Sequence, residues 1–443
     1  MTSMIEQFAS SLSFESVRGA KDLHKRIIFT LLMLVVYRLG TYIPIPGVNP
    51  EVLSEFIRAN SAGILGVFDM FSGGALSRMT ILALGLSPYI SSSIIIQLVS
   101  KLIPKFEYLT KEGEQGRRKM NTYTRYLTVA LAAVQGFGVS ILIEQMGGMV
   151  GLGSETILIN IWLFRLVTML SIMGGTLFLM WLGEQITSRG LGNGISTLIY
   201  AGIVANLPSS LISAFTMGRE EGVYYIVPLL LVMSSIIFAY VVFVEKAQRR
   251  IPIQYPRRNA QEAMSMPNYL PLKVNISGVM PPIFAQALLS IPILTIGSIA
   301  AVASNDYVNM FLNLLKPGGW FYMTAQLALV VFFSFFYTSI MFNTKETADN
   351  LKKGQAYIPG IRPGEQTQNY LSYVVNRITV VGAIYLASIC VIPSIVQAHV
   401  SLNSFFGGTS ILIVVSVTIE TISQIQTHLF ANQYKGLLNR KKK

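Results

Sequence analysis

The sequence predicts an all-α membrane protein of about ten spanning helices, on three observations: its composition, the recurrence of long apolar runs, and the sidedness of its positive charge. Only 12% of the 443 residues are charged and 52% are hydrophobic, with a mean hydropathy of +0.54, against roughly 25% charged residues in a soluble domain. Lipid is the expected solvent for most of the chain. A bilayer core about 30 Å thick takes roughly 20 mostly apolar residues per helix. Runs of that kind start near Ile27, Arg78, Leu127, Ile157, Gly194, Val223, Val274, Trp320, Ile378 and Phe406.

The charge pattern supports the span count independently. Of the 34 Lys and Arg residues, 28 fall in the N-terminal segment through Arg26, residues 101–125, Arg189, residues 246–273, residues 343–377 and the tail from Lys435, which are the alternate loops of a ten-span chain. The opposite loops hold Arg58, Arg78, Arg219 and Lys316, and Arg38 and Arg165 lie within spans. The positive-inside rule makes the basic side cytoplasmic, with both termini on it. A net charge of +13 spread in short clusters between apolar runs is a topology signal, so no direct DNA binding is expected.

Catalytic and cofactor signatures are missing from the sequence. The single cysteine, Cys390, sits in an apolar run, and His24, His399 and His428 belong to no HExxH, GxSxG or GxxxxGK[ST] pattern. Gly190-Leu191-Gly192-Asn193-Gly194 resembles a phosphate-loop fragment, but no strand precedes it; it reads as a tight turn opening the fifth span. The expectation is a non-enzyme without metal or cofactor, whose work is driven by a partner. The first twenty residues carry Glu6 and Glu15 without an apolar core, so no removable signal peptide is expected.

Helix breakers fall inside several spans: Pro88 in the second, Pro208 in the fifth, Pro281, Pro282 and Pro292 in the seventh, Pro393 in the ninth. Such backbone is tolerated against protein or a water-filled cavity, either as kinked packing helices or as a pore lining. Deep charge is scarce, with Arg38, Arg165 and Glu420 the candidates and Glu184 and Glu245 nearer the cytoplasmic ends. One carboxylate can run a proton antiporter. Glu420 therefore keeps a multi-span secondary transporter open as the alternative function, although a carboxylate paired with a neighbouring helix is the preferred reading.

Between the first two spans, Pro44-Ile45-Pro46-Gly47 leads to Gly63-Ile64-Leu65-Gly66-Val67-Phe68-Asp69-Met70-Phe71-Ser72-Gly73-Gly74-Ala75-Leu76. The segment is apolar yet too short and glycine-rich to span. It fits a half-helix dipping back inside protein, or an amphipathic helix at the interface.

Phe71-Ser72-Gly73-Gly74-Ala75-Leu76-Ser77-Arg78 followed by Ala83-Leu84-Gly85-Leu86-Ser87-Pro88-Tyr89-Ile90-Ser91 resembles the plug and second-helix signature of the SecY family. Agreement continues in Lys111-Glu112-Gly113-Glu114-Gln115-Gly116-Arg117-Arg118-Lys119, in Leu179-Met180-Trp181-Leu182-Gly183-Glu184-Gln185-Ile186-Thr187, and in Ile358-Pro359-Gly360-Ile361-Arg362-Pro363-Gly364-Glu365-Gln366-Thr367. The resemblance runs from the first span to the last.

What it implies is ten transmembrane helices in two pseudo-symmetric five-helix halves, a clamshell around an hourglass pore. A cytoplasmic segment 1–26 precedes the halves 27–217 and 218–428, and a basic tail 429–443 follows them. The implied pore ring is Leu86, Ile90, Ile195, Ile199, Ile283 and Ile413. Leu86 stands where isoleucine is usual and Ser87 is also a departure, but leucine has the same volume and still seals. Leu86 with Ile90, and Ile195 with Ile199, are i, i+4 pairs that each face one way, and a narrow apolar ring blocks ions by dewetting. The implied plug is about 61–76, with Phe71, Ser72, Gly73 and Gly74 at its tip. Gln97 and Asn275 are placed by resemblance near a lateral gate between the second and seventh spans.

Loops 246–273 and 343–377 are long for a compact bundle, which marks them as candidates for function. Arg362 between two Pro-Gly turns, supported by Arg249 and Arg250, is the implied docking tip for the ATPase SecA and the ribosome. SecE and SecG are the implied partner subunits, with unfolded preproteins, signal peptides and membrane lipids as further partners. The expected function is the central subunit of a protein-conducting channel in the bacterial cytoplasmic membrane.

Overall fold

The computed structural model describes residues 21–47, 72–149 apart from 105, 107, 108, 110 and 111, 160–220, 226–254, 268–289, 319–399 and 408–440. Its helices are α1 (Lys21–Gly40), α2 (Ser87–Leu102), α3 (Glu114–Met149), α4 (Ile161–Arg189), α5 (Gly194–Glu220), α6 (Ile226–Lys246), α7 (Met280–Leu289), α8 (Trp320–Met341), α9 (Thr344–Lys353), α10 (Glu365–His399) and α11 (Gly408–Arg440). Two strands, β1 (Gln248–Ile253) and β2 (Asn268–Lys273), pair antiparallel. Among the described residues, stretches of α4, α8, α10 and α11 are long and apolar enough to cross a bilayer. This is a mostly helical membrane protein. Phe71, most of the segment 61–76 and Pro292 lie outside the described residues.

Two sequence expectations shift at helix starts. The second helix begins at Ser87 rather than near Arg78, because Gly73, Gly74, Met79 and Gly85 all take positive φ and Pro88 then sits in the first turn. Positive φ is incompatible with a right-handed helix, whereas proline is suited to its first turn. The chain from Ser72 to Leu86 instead folds as turns, tied to the exit of α1 by Ile45 N to Met79 O (2.9 Å) and Ile81 N to Ile43 O (3.0 Å). α2 has 16 residues, a rise of about 24 Å, short of the ~30 Å bilayer core. The turns before it are buried at Thr80, Leu82, Ala83 and Leu84, which is the condition for irregular backbone at membrane depth.

The seventh helix likewise starts at Met280, not near Val274, so Pro281 and Pro282 open it rather than break it. Pro208 and Pro393 do lie inside helices, in α5 and α10.

α3 and α4 pack antiparallel along their length. At one end Arg125 grips Glu184 with Nε to Oε1 at 2.9 Å and Nη2 to Oε2 at 2.7 Å. At the other, Arg165 Nη2 meets Glu144 Oε2 at 2.7 Å and its guanidinium lies 5.1 Å from the Trp162 ring centroid. Arg165 is thus a helix-end charge with a partner. Gly136 lets the helices approach: a Cβ there would stand 3.4 Å from Met169 Cα. At Gly175 of α4 a Cβ would collide with the Ile81 carbonyl oxygen, so the irregular segment is pressed against α4 backbone to backbone.

The described parts of the two long basic loops, 246–254 with 268–273 and 343–377, form one folded unit. The ribbon β1–β2 runs in register from Gln248 opposite Lys273 to Ile253 opposite Asn268. Gln254 and Tyr357 exchange both main-chain hydrogen bonds at 2.9 Å, joining the ribbon to the chain after α9. Ile251, Leu272, Ile358, Leu371, Val374, Val375 and Ile378 form the unit's own small core.

Candidate functional site

The six ring positions all belong to the molecule's main apolar cluster, which draws residues from α1, α2, α4, α5, α6, α7, α8, α10 and α11. Leu86 is the N-cap of α2 and Ile90 lies one turn on, Ile195 and Ile199 open α5, Ile283 is in the first turn of α7, and Ile413 is in α11. Leu86, Ile199, Ile283 and Ile413 are buried in one apolar cluster, and Ile90 and Ile195 pack against it. Ile195 also leans on α4, where its Cγ1 would stand 3.3 Å from a Cβ on Gly183. The turn at Gly190–Asn193 aims this region: Gly192 N donates to Gln424 Oε1 of α11 (2.8 Å) and Leu191 N to Thr30 Oγ1 of α1 (3.0 Å). The glycine-rich stretch is thus a turn, as its sequence context indicates.

Ser72, Gly73 and Gly74 are all buried beside this cluster. Gly73 and Gly74 have φ of 72° and 80°, values that favour glycine. Gly73 lies against Gly202 of α5 and Gly74 against Asn206.

Gln97 and Asn275 do not bond to each other. Gln97 Nε2 donates to Ser93 Oγ within α2 (3.0 Å), and its Oε1 is buried without a partner. Asn275 donates through Nδ2 to Glu245 Oε1 (2.7 Å) and to Gly278 O (3.0 Å), and accepts from Ser277 Oγ (3.1 Å). Glu245 and Asn275 are both buried, so this carboxylate clasps the end of α6 to the lead-in of α7. Sequence reasoning placed Glu245 only as a span-end charge. The sequence signal for more was faint: a carboxylate directly after the apolar run Val241–Val244, with Lys246 next to it as an ordinary-looking span-end charge.

At the basic unit, Arg362 is exposed between Gly360 (φ 82°) and Gly364 (φ 108°). Its carbonyl accepts from Thr367 Oγ1 (2.9 Å), and Gln368 N donates to Gly364 O (3.0 Å). The tip is fixed at its backbone while the guanidinium stays in solvent. Arg249 and Arg250 are exposed on β1, but successive strand residues point to opposite faces. Arg249 shares a face with Ile251, and Arg250 lies on the other, 6.0 Å from the Tyr269 ring centroid.

Of the deep charges, Arg38 donates from Nη1 to Gly73 O at 2.7 Å. Glu420 is exposed on α11; the expected neighbour-helix pairing is not found, since among the described residues no cation forms a salt bridge with it.

Apolar helices packed around one large buried cluster, buried turns leading into α2 and a basic folded unit define a polytopic helical membrane protein. Solved structures agree on the fold. One described as "The structure of a protein conducting channel" superposes with a TM-score of 0.65 at 18% identity, covering 92% of each chain. Another, on the plug domain that stabilises the closed state of the SecY translocation channel, gives 0.63 at 20% identity, again over 92% of each. A family model described as SecY matches residues 80–422. The protein translocase subunit SecY of Rickettsia felis is 44% identical over 430 residues, 96% of this chain and 98% of that one. The Escherichia coli K12 protein of the same description is 42% identical over 436 residues, 97% of both. The chain belongs to the SecY family.

Proposed function

We propose that this chain is the central, pore-forming subunit of a protein-conducting channel that exports unfolded preproteins across the bacterial cytoplasmic membrane and releases membrane segments sideways into lipid. The observation that supports this reading is that Leu86, Ile90, Ile195, Ile199, Ile283 and Ile413, carried by α2, α5, α7 and α11, all lie in or against the molecule's main apolar cluster. A narrow ring of branched side chains excludes ions by dewetting, yet it makes no directed bond that a passing polypeptide has to match. Export of many sequences through one pore requires that combination.

The finer topology belongs to the same proposal. Ten spans in halves 27–217 and 218–428 form the clamshell, residues about 61–76 are the plug, and the seam lies between the second and seventh spans. Termini and the basic unit face the cytoplasm, supported by the 28 of 34 basic residues on that side. Chemical work is done by partners, with SecA or a translating ribosome docking on the Arg362 tip and SecE and SecG completing the complex. Arg362 suits this because a rigid turn presents one guanidinium to an acidic surface or an RNA phosphate. A related fold solved in the canine ribosome-channel complex from the endoplasmic reticulum superposes with a TM-score of 0.62, which is consistent with a ribosomal partner for that protein's fold.

The test is site-specific photocrosslinking in inverted membrane vesicles, with probes at Ile90, Ile199 and Ile283 and a preprotein stalled during SecA- and ATP-driven transport. Capture at all three, with none at a lipid-facing control such as Leu32, is the expected result. Absence of capture while SecA binds normally would sink the pore assignment. Proton-coupled solute uptake abolished by Glu420→Gln would favour the transporter reading instead.

A further inference from the structure

We propose that Tyr37 and Arg38 of α1 are the latch that holds Ser72–Gly74, at the tip of the proposed plug, by gripping consecutive main-chain carbonyls. This rests on the plug reading above and adds the residues that set the segment's resting position. Tyr37 Oη donates to Ser72 O at 3.2 Å, and Arg38 Nη1 donates to Gly73 O at 2.7 Å. Adjacent residues of one helix, about 100° apart around its axis, thus reach adjacent carbonyls of the strand crossing it.

The far side of that strand is closed as well. At Gly73 a Cβ would stand 3.0 Å from Gly202 Cα of α5 and 3.0 Å from Tyr37 Oη, and at Gly74 one would stand 3.1 Å from Asn206 Oδ1. Ser72–Gly74 is therefore held edge-on between α1 and α5, and it is held by its backbone. Tyr37 is buried, so its hydroxyl has its hydrogen bond away from bulk water. Arg38 is steadied from behind by Tyr42, whose ring centroid lies 5.3 Å from the guanidinium carbon and whose Oη is 3.5 Å from Nη2.

Three physical points make this a latch rather than generic packing. A charged donor to a carbonyl outweighs a neutral one, so Arg38 contributes more than Tyr37. The acceptors are main-chain carbonyls, so the grip depends on the backbone path that Gly73 and Gly74 allow rather than on a side chain of the segment. When the plug leaves and water enters the pore, both donors and both carbonyls regain partners from water. The net bias toward the seated state is then small enough to be reversed by an arriving signal peptide.

The decisive experiment uses the assembled complex in planar bilayers, comparing the parent chain, Tyr37→Phe, Arg38→Gln and a chain lacking residues 61–71. Resting ion conductance is read first. Export of a preprotein whose signal peptide carries a charge in its apolar core is read second. Tyr37→Phe removes one hydroxyl without changing ring shape, and we expect roughly fivefold more resting conductance, about 1 kcal/mol. Arg38→Gln should exceed it, and both should admit the defective preprotein. If neither variant departs from the parent while the 61–71 deletion leaks, the latch is wrong and the plug reading stands. If the deletion does not leak either, both fall. Should Arg38→Gln fail to assemble, Tyr37→Phe alone decides.

Discussion

At the proposed waist, six branched side chains from α2, α5, α7 and α11 lie in or against one large apolar cluster. The basic unit beside the bundle is held by a ladder from Gln248 to Ile253, a paired bridge at Gln254 and Tyr357, and a turn pinned at Arg362. The difference follows from what each region has to tolerate. Apolar contact is non-directional and reforms after any chain has passed, whereas a docking surface must present the same shape each time. The contrast predicts that the waist tolerates changes of shape and fails under changes of polarity, while the basic unit behaves the opposite way.

The largest effect tests the waist. Ile283→Asp places a carboxylate among Leu86, Ile199 and Ile413; the resting channel should conduct at least about tenfold more, because a charged ring wets where an apolar one does not. Ile283→Leu conserves volume and should stay within about 1.5 kcal/mol in stability, with no added leak. Equal leak from both would mean that shape, not polarity, makes the seal. Next in size is Arg362→Glu, which should abolish partner-driven transport in vesicles while leaving the thermal unfolding of the complex unchanged, since its side chain lies in solvent. Loss of folding instead would show the tip to be structural.

A third prediction concerns the elbow between the two regions. Val274 N donates to Ala247 O (3.0 Å) at the root of the ribbon, and Glu245 holds Asn275 immediately beyond it. The ribbon thus ends on α7, and Glu245 fixes the joint. Glu245→Ala leaves the buried Asn275 amide short of an acceptor, and the complex should lose about 1–3 kcal/mol in thermal unfolding; Glu245→Gln, which retains an acceptor oxygen, should lose less. A neutral alanine variant would remove the joint from the account.

How much of this was readable beforehand depends on the kind of bond. Apolar helices are written in composition, which is why helices stand close to the apolar runs at Ile157, Gly194, Val223 and Trp320. The start of α2 was not, since Met79 at φ 44° reflects the tertiary fit of the turns against Gly175, not a residue-type signal. Arg249 and Arg250 look like one basic patch in sequence, but a strand separates them to two faces. Tyr37 and Arg38 were invisible as a pair because their partners are carbonyls, which every residue carries. The ring residues are proposed only through family resemblance, because an isoleucine in an apolar helix has no distinguishing chemistry of its own.

The smallest predicted effect separates the two ends of the α3–α4 pair. The Arg125–Glu184 side chains are 50% and 37% exposed, whereas those of Arg165–Glu144 are 21% and 27% exposed. Solvent screening weakens the first pair despite its two-point geometry, so a double-mutant cycle there should give roughly 0.2–1 kcal/mol, falling with added salt. The second pair is less hydrated and stacked on Trp162, so its coupling should be larger and less sensitive to salt. That ordering is what a rigid support requires: α4 carries the contact with Ile81 through Gly175, and a firm α4 lets the turns before α2, and the waist they lead into, yield without the half-bundle around them moving. Equal coupling at both ends, each lost in high salt, would mean that packing at Gly136 rather than charge holds the pair together.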